Sequence, residues 1–457
     1  MTIVLVLMVL ILAQILTGAA LLKAFRRRLN TLEALVVAIT LGTGVFSLIP
    51  FVLELLHVRI NAFTVFIPIT VFSAAGLAAI PWATLKKTFQ TWKAKAAVYS
   101  IPQILVIAFL MVISIWRCYY LPPTPRDLNS GAEVIAEYAV KEHSLVNSVF
   151  TLDLSTTNNQ FKPPFISSLQ VIYKLAGLPF GQVWLALLSV ALTIFVFAQL
   201  SKHLHTIIAG FLLVAYIAIP ELYAYSFMAL YDYPNVVFLT FSLFYVSEFL
   251  EDEKTSSIVL AGVLFLFATY VRSETLIIGG FLFLPVFWFH VHKRDSIIRI
   301  IRSGLCFLLP AVVIYFVSVK LYINYYLPSH YKIEALVNSN LFDPTPLLKR
   351  FGDMNNELIF SESGVEFYGY FIILYLTITI FDTVVPLPWP KGSAYWFAVT
   401  VIIYLAIPFL GYLFPLMDLY NTTKRGLFKL FPLMLMSLAM SPSLRYFSER
   451  LRAWERS

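Results

Sequence analysis

Charged residues are scarce in this sequence. Asp, Glu, Lys and Arg make up only 13% of the 457 residues, whereas hydrophobic residues make up 60% and the mean hydropathy is +0.81. A soluble domain carries roughly 25% charged residues. The shortage excludes an ordinary soluble protein. The long apolar runs predict helices that cross a membrane rather than barrel strands, which alternate over about ten residues.

Cysteines are also few, and the common nucleotide and zinc motifs are missing. The two cysteines, Cys118 and Cys306, fall at opposite ends of predicted spans, which argues against a disulfide and against a cysteine metal site. There is no P-loop, no GxGxxG and no HExxH, so chemistry driven by ATP or NAD is not expected. The net charge of +8 mostly marks helix ends that belong in the cytoplasm, so no nucleic-acid partner is predicted.

The apolar runs predict an all-α polytopic membrane protein with about 13 transmembrane helices, each close to the ~20 residues that a span needs. We place these helices at residues 2–22, 32–54, 62–82, 98–119, 181–200, 206–224, 233–250, 256–272, 275–291, 304–326, 367–386, 394–416 and 427–441. Lys and Arg concentrate in alternate connections, which puts the N-terminus outside, the C-terminus inside, and the long loops 120–180 and 327–366 both outside. The segments that are unusually rich in polar residues then all lie on one side of the membrane.

The first outer loop is predicted to contain two helices that lie at the membrane surface. Ser130-Gly-Ala-Glu133 is a capping box, and Glu133 is interpreted as the partner of Ser130 rather than as a catalyst. Pro163-Pro164 then precedes apolar residues at helical spacing, and Gly177 ends that run. The apolar stripes of both segments are typical of interfacial helices.

The polar residues occur in a recognisable order along the chain. The successive motifs are Asp127 after an outward helix, Lys162-Pro163-Pro164, Tyr231-Asp232-Tyr233-Pro234 at a helix start, and Tyr270-Val271-Arg272-Ser273-Glu274. From about Ser100 to Arg425 this order resembles the GT-C superfamily of polyprenyl-phosphate-sugar glycosyltransferases, which includes protein O-mannosyltransferases and lipid A aminoarabinose transferases. Residues 1–97 lie outside the resemblance. Residues 98–326 would form its catalytic transmembrane module, and residues 327–457 hold the second outer loop and the last helices.

The resemblance implies a glycosyltransferase that moves a hexosyl or pentosyl group from a polyprenyl-phosphate donor to a lipid, glycan or protein acceptor. Such a site needs a carboxylate to take the acceptor proton and cations to neutralise the phosphate. The active site would face the periplasm or a lumen, and we favour a bacterial plasma membrane. Some members of the family use a divalent metal held by outer-loop carboxylates. Asp127 and Asp232 could hold such a metal in this chain, so a divalent metal is possible here. No other cofactor is expected.

The resemblance also implies which acids act. Asp127 is expected to be the general base, although the chain reads Arg126-Asp127-Leu128 where the family often has Asp-Glu or a nearby Tyr or His. The ordinary alternative is a surface pair between Arg126 and Asp127. Asp153 is a second candidate acid, and a turn residue is an equally good interpretation of it.

The predicted cations would bind the donor phosphate, and they are Lys162, Arg272 and Arg425. Lys162 could instead be a lysine whose ammonium reaches the membrane surface. Arg272 could pair with Glu274, and Arg425 could be a cytoplasmic charge if the last helix were misplaced. The candidates for acceptor or metal binding are Asp232, Glu274 and Glu221. A carboxylate at position 232 would also favour the dipole of its own helix.

Two other functions remain alternatives. A transporter or flippase for a lipid-linked substrate would place similar charges around a cavity, but transporters often show repeated halves with broken helices near the midplane. No corresponding pair occurs here. An O-antigen polymerase or ligase also uses outer arginines and a large outer loop, but that loop comes late in the chain. The early position of the motif-bearing loop therefore favours the glycosyltransferase.

Overall fold

The fold is known from a computed structural model that describes residues 2–25, 29, 31–79, 101–120, 131–152, 162–178, 182–328, 343–414 and 417–456. Within these ranges all regular structure is helical. Nine helices of the described chain are long and apolar enough to cross a membrane, and one bent pair would make a tenth. The prediction of an all-α, multi-pass membrane protein is confirmed, and the total of about 13 spans stays a prediction.

The helices are numbered in chain order. The first half contains α1 (Thr2–Ala24), α2 (Thr31–Leu55), α3 (Ala62–Ala79), α4 (Ile101–Tyr120), α5 (Glu133–Glu142), α6 (Ser148–Thr151), α7 (Phe165–Leu175), α8 (Val183–His203), α9 (Thr206–Ile217) and α10 (Pro220–Tyr225). The second half contains α11 (Asp232–Asp252), α12 (Thr255–Val271), α13 (Thr275–Leu282), α14 (Leu284–His292), α15 (Ile297–Tyr315), α16 (Thr345–Asp353), α17 (Glu362–Gly364), α18 (Tyr370–Val384), α19 (Ser393–Leu413), α20 (Lys424–Gly426), α21 (Leu430–Ala439) and α22 (Pro442–Trp454). The π-helical turns are Phe316–Tyr326, Met354–Ile359, Val365–Gly369 and Leu419–Thr423, and a 3₁₀ turn spans Leu427–Lys429.

Prolines and arginines explain where the observed helices depart from the predicted ones. The helix predicted at 206–224 breaks before Pro220, because proline lacks a backbone N–H and suits the first turn of a new helix. The helix predicted at 275–291 breaks at Phe283 for the same reason, since Pro285 follows. α15 begins before the predicted start because its first turns carry exposed arginines that dilute the apolar pattern.

The three N-terminal helices are part of the bundle. α1 packs against α2 and α3, and α2 packs against α7 and α8. A Cβ at Gly18 or Gly42 would overlap a backbone carbonyl of the facing helix, so α1 and α2 touch closely there. Gln14 donates from Nε2 to Thr43 Oγ1 at 2.5 Å and accepts from Tyr173 OH at 3.3 Å. The N-terminal segment, although outside the resemblance, therefore helps to hold the second helix of the first loop.

α7 lies inside the protein. All residues from Phe165 to Tyr173 are buried, and the helix packs against α2 and α5. The expectation of two surface helices in the first outer loop is therefore wrong for α7, because protein rather than lipid headgroups covers its apolar stripe. Gly177 has a φ of +79°, a left-handed conformation that favours glycine, and it ends the helical run as predicted.

The Glu133 carboxylate joins the two helices of the first loop. α5 begins at Glu133, and Ser130, its predicted capping partner, lies outside the described residues. The carboxylate pairs with Lys174 of α7 and accepts from Gln170 Nε2 at 2.8 Å. Glu133 is therefore a structural link between α5 and α7, and its capping of Ser130 stays a prediction.

A second carboxylate joins both outer loops to α2. Glu54, near the end of α2, accepts from the Leu145 backbone N–H at 2.6 Å and from Ser144 Oγ at 2.9 Å. It also accepts from Tyr326 OH at 3.2 Å, immediately before the second long loop. Both predicted outer loops thus begin or pass at the same end of the bundle, beside the end of α2.

Candidate functional site

Two arginines meet one carboxylate where α11 begins. Asp232 lies in the first turn of α11, and its side chain is only 2% exposed. Arg272 Nη1 contacts Asp232 Oδ1, and Arg425 Nη1 lies 3.5 Å from Asp232 Oδ2. α11 and α12 pack together as an antiparallel hairpin, so the start of one helix lies beside the end of the other. Three of the predicted site residues are therefore brought together.

Glu274 adds a second carboxylate to this cluster. Arg272 Nε donates to Glu274 Oε1 at 2.6 Å. Burial alone would lower the pKa of Arg272, but the charges of Asp232 and Glu274 outweigh burial and raise that pKa above its ordinary value. The guanidinium therefore stays charged. The Glu274 side chain is 17% exposed, so the cluster opens toward solvent on this side.

The polar layer beneath the cluster fixes the helix ends. Asn235, one turn after Asp232, donates from Nδ2 to the Ala268 carbonyl at 2.7 Å and to Thr275 Oγ1 at 2.8 Å. These bonds tie α11 to α12 and α13 on both sides of Arg272. The charged groups are thus carried by rigid helix ends, as a preorganised binding site requires.

Lys429 belongs to the cluster, and the sequence analysis missed it. The residue lies in the 3₁₀ turn before α21 and is 6% exposed, and its charge interacts with both arginines and both carboxylates of the cluster. Its ammonium forms no hydrogen bond or ion pair with any residue that the structure describes. The available signal was a lysine inside the predicted apolar span 427–441, since an ionisable residue in a span is a functional hypothesis by default.

Lys162 reaches the edge of the cluster through an aromatic ring. Its Nζ lies 4.8 Å from the centroid of the buried Tyr231 ring, and Tyr231 directly precedes Asp232. A cation over an aromatic face is attracted by the ring quadrupole. The first outer loop therefore contributes a positive charge beside the cluster, and the convergence of Lys162 and Arg272 on one phosphate stays a prediction.

Glu221 has a different partner from the central carboxylates. It forms an ion pair with Lys424, whose Nζ lies 5.7 Å from the ring centroids of both Phe367 and Tyr368. Arg425, the next residue, is oriented by a 2.9 Å hydrogen bond from its Nε to the Asn421 carbonyl. Glu221 thus lies at the rim, where it neutralises Lys424 and joins α10 to the last span.

The predicted acids of the first loop, Asp127 and Asp153, lie outside the described residues. Their roles stay predictions. The proposed metal pairing of Asp127 with Asp232 is disfavoured on the side of Asp232, because both of its oxygens face arginines. In the described ranges, no group of three or more His, Cys, Asp or Glu side chains is placed to hold a metal ion.

A serine, a histidine and an aspartate are hydrogen-bonded elsewhere in the bundle. His290 Nδ1 lies 2.8 Å from Asp295 Oδ2, and His290 Nε2 lies 2.9 Å from Ser303 Oγ. The order matches a nucleophile, base and acid. Ser303, however, is buried within α15, where the helix itself uses the backbone N–H groups that an oxyanion would need. The three residues therefore link α14 to α15 without forming a hydrolytic site.

The central cluster carries more positive than negative charge. The cations are Arg272, Arg425 and Lys429, and the carboxylates are Asp232 and Glu274, which leaves one positive charge in excess. Lys162 lies at the edge of this set, over the Tyr231 ring. Arginine and lysine at a buried site bind phosphate through charge-assisted hydrogen bonds. Cations in this arrangement can attract an anionic group and oppose charge that develops on a leaving group.

Comparisons of the chain with known protein families, curated proteins and solved structures found no match.

Proposed function

We propose that this chain is a membrane glycosyltransferase that moves a sugar from a polyprenyl-phosphate donor to a lipid, glycan or protein acceptor. The observation that carries the proposal is Lys429, a residue only 6% exposed, whose ammonium has no direct partner among the described residues and interacts with the charges of two arginines. Burying an isolated charge is costly unless an anion compensates it. A donor phosphate would supply that anion.

The position of the cluster favours a lipid-linked anion over a soluble one. Asp232 begins a helix that is long and apolar enough to span a membrane, and Arg272 lies between two apolar helices. Arg425 and Lys429 belong to the apolar segment that ends at Ala439. Charges at the ends of such helices lie at the depth of lipid headgroups. A polyprenyl phosphate can therefore bring its phosphate to the cluster while its tail stays in the bilayer.

The proposed reaction is a displacement at the anomeric carbon of the donor sugar. The acceptor hydroxyl or amine forms a bond to this carbon as the bond from the carbon to the phosphate oxygen breaks. Polyprenyl phosphate leaves with the bonding electron pair, and the acceptor proton passes to a carboxylate. Arg272, Arg425 and Lys429 oppose the negative charge that develops on the phosphate, which is commonly the largest contribution to such catalysis.

Asp127 is the proposed proton acceptor. Asp232 is unsuited to this role because both of its oxygens face arginines. Glu274 is better suited to positioning, since one of its oxygens holds Arg272. The distribution of Lys and Arg supports an active site on the non-cytoplasmic face, which we propose to be the periplasmic face of a bacterial plasma membrane.

The test is an assay of membrane fractions that contain the full chain, with a panel of radiolabelled polyprenyl-phosphate sugars. Sugar transfer is expected from at least one donor, and Arg272→Gln should abolish or strongly reduce it. Lys141→Gln is the matched control, because Lys141 is exposed on α5, where it pairs with Glu137 at 2.7 Å and lies over the Tyr138 ring. Such a pair is worth ~0–1 kcal/mol, so the control should retain activity.

The outcome also separates the alternative functions. Donor binding without transfer, together with movement of the lipid across vesicle membranes, would replace the proposal with a transporter or flippase. Transfer of a whole glycan from a polyprenyl diphosphate, with no use of monophosphate donors, would replace it with a polymerase or ligase.

A further inference from the structure

The last helix, α22, leaves the bundle core at an angle. It is bent by 57° from the apolar segment Leu419–Ala439 that precedes it. Unlike that segment it is amphipathic, with buried serines on one side and three arginines along its length. A basic amphipathic helix beside the end of an apolar span is typical of a helix that lies at the boundary between membrane and water.

Contacts at both ends hold α22 in one orientation. At its start, the Ser443 backbone N–H donates to Asp382 Oδ1 of α18 at 2.9 Å. Just beyond its end, Glu455 lies 3.0 Å from His205 Nε2, at the start of α9. Ser448, between these contacts, is buried against the bundle. The face of α22 that points away from the bundle is therefore fixed.

This outward face combines aromatic rings with an arginine. Tyr446, Phe447 and Trp454 are 42%, 52% and 57% exposed. Arg450 donates to Tyr446 OH from Nη2 at 2.7 Å and from Nε at 3.1 Å, and its guanidinium carbon lies 5.1 Å from the centroid of the Tyr446 ring. Residues three and four apart lie on one side of a helix. Arg450 is therefore held among the rings, and its side chain is still exposed.

Positive charge continues on the inner side of α22. Arg445 Nη2 lies 3.5 Å from His203 Nδ1. The charges of Lys202 and Arg452 also act on His203, so three cations surround this imidazole. Glu449 is the only acidic residue within α22 itself. The helix and its surroundings therefore favour an anionic neighbour.

We propose that the Tyr446, Phe447, Arg450 and Trp454 face of α22 binds the headgroups of anionic phospholipids in the leaflet at this end of the bundle. Arginine forms charge-assisted hydrogen bonds to phosphate, and tyrosine and tryptophan prefer the headgroup level of a bilayer. A basic helix next to a span attracts anionic lipids with about 1 kcal/mol per Lys or Arg near the surface. The inference does not depend on the proposed transfer reaction, which takes place at the other end of α21.

The test measures local lipid enrichment at Trp454 in the full-length protein. The chain is placed in phosphatidylcholine nanodiscs that contain a small fraction of brominated phosphatidylglycerol or of brominated phosphatidylcholine. The contribution of Trp454 to fluorescence quenching is obtained by subtracting the Trp454→Phe variant. Half-maximal quenching is expected at a mole fraction of brominated phosphatidylglycerol that is roughly fivefold lower than the mole fraction of brominated phosphatidylcholine needed. This ratio corresponds to about 1 kcal/mol of attraction for one arginine.

Substitutions of Arg450 separate charge from structure. Arg450 contacts only Tyr446 on its own helix, so Arg450→Gln should leave the fold intact and remove most of the preference for the anionic lipid. Arg450→Lys should keep most of it. Arg299→Gln is the matched control, because Arg299 is also exposed, on α15, and pairs with Asp295 of its own segment at 2.8 Å. That control should retain the full preference.

Two results would overturn the inference. Equal quenching of Trp454 by the two brominated lipids would mean that the aromatic face lies in the membrane without selecting headgroup charge. Absence of quenching by either lipid would mean that the face is turned away from the bilayer and that a protein partner or a second copy of the chain is its occupant.

Discussion

Replacing Lys429 with Met separates the energetic role of this residue from its role in binding. Its ammonium has no direct partner among the described residues, and two carboxylates and two arginines act on it at longer range. No hydrogen bond or ion pair therefore offsets the cost of removing the ammonium from water. Replacing a buried charge by an apolar residue of similar volume is often neutral or stabilising by about 1–4 kcal/mol. We therefore expect Lys429→Met to be at least as stable as the parent protein.

The same substitution should weaken binding of the donor. A hydrogen bond to a charged group is worth about 1.5–3 kcal/mol, which corresponds to a loss of roughly 10- to 100-fold in affinity. Stability is measured by equilibrium unfolding in mixed micelles, and affinity by calorimetric titration with a short-chain polyprenyl phosphate. The expected combination is unchanged or higher stability with clearly weaker phosphate binding, a trade-off typical of residues retained for function.

Lys174→Met provides the matched control. Lys174 is also a largely buried lysine, but it pairs with Glu133, and its loss would leave that carboxylate with only the amide of Gln170. Breaking a buried pair costs about 3–5 kcal/mol. The control should therefore lose stability and keep its affinity for phosphate. If Lys429→Met behaved like Lys174→Met in both measurements, Lys429 would be a structural residue and the anion site would lose its main support.

Three further predictions follow from the same residues. Asp232→Asn should lower the free energy of unfolding by about 3–5 kcal/mol, because it leaves two arginines without their shared carboxylate. Added polyprenyl phosphate should restore part of this stability. A variant as stable as the parent in mixed-micelle unfolding would contradict the stabilising role of these ion pairs. Asp127→Asn should reduce the transfer rate by roughly 10²–10⁴-fold and leave donor binding unchanged. Turnover at the parental rate in the membrane assay would mean that another residue is the general base. Gly42→Leu should force α1 and α2 apart, because the new side chain would overlap the Gln14 carbonyl. The free energy of unfolding should fall by at least about 1–3 kcal/mol in the same experiment. A variant of parental stability would mean that the two helices can separate without cost.

The sequence predicted the helical class, and the chemistry expected at the site stays a prediction. Helix starts at positions 31, 206, 232, 255 and 393 fall within one residue or so of the expected ones, because apolar runs between charged connections have a strong periodic signal. Arg272 was considered as a partner of Glu274, and the two do pair. The charge pattern predicts that Arg272, Asp232 and Arg425 lie on one side of the membrane, but the ion pairs of Asp232 with both arginines are visible only in the structure.

The remaining features depend on contacts that no local pattern contains. Lys429 stands in an apolar run, and only the tertiary packing shows that it meets the cluster rather than the membrane surface. α7 has the stripe of an interfacial helix, but α2 covers it, and that pairing joins residues more than a hundred positions apart. A carboxylate shared by two arginines likewise depends on long-range packing that sequence spacing does not encode.

The Glu54 carboxylate connects the N-terminal helices to both outer loops. One side chain holds the first loop through Ser144 and Leu145, and it holds the start of the second through Tyr326. Removing either set of donors would leave part of this buried carboxylate unpaired, which costs roughly 1–3 kcal/mol or more for a charged group. Because one acceptor serves both segments, we expect a displacement of the segment at Ser144 and Leu145 to affect the position of Tyr326 as well.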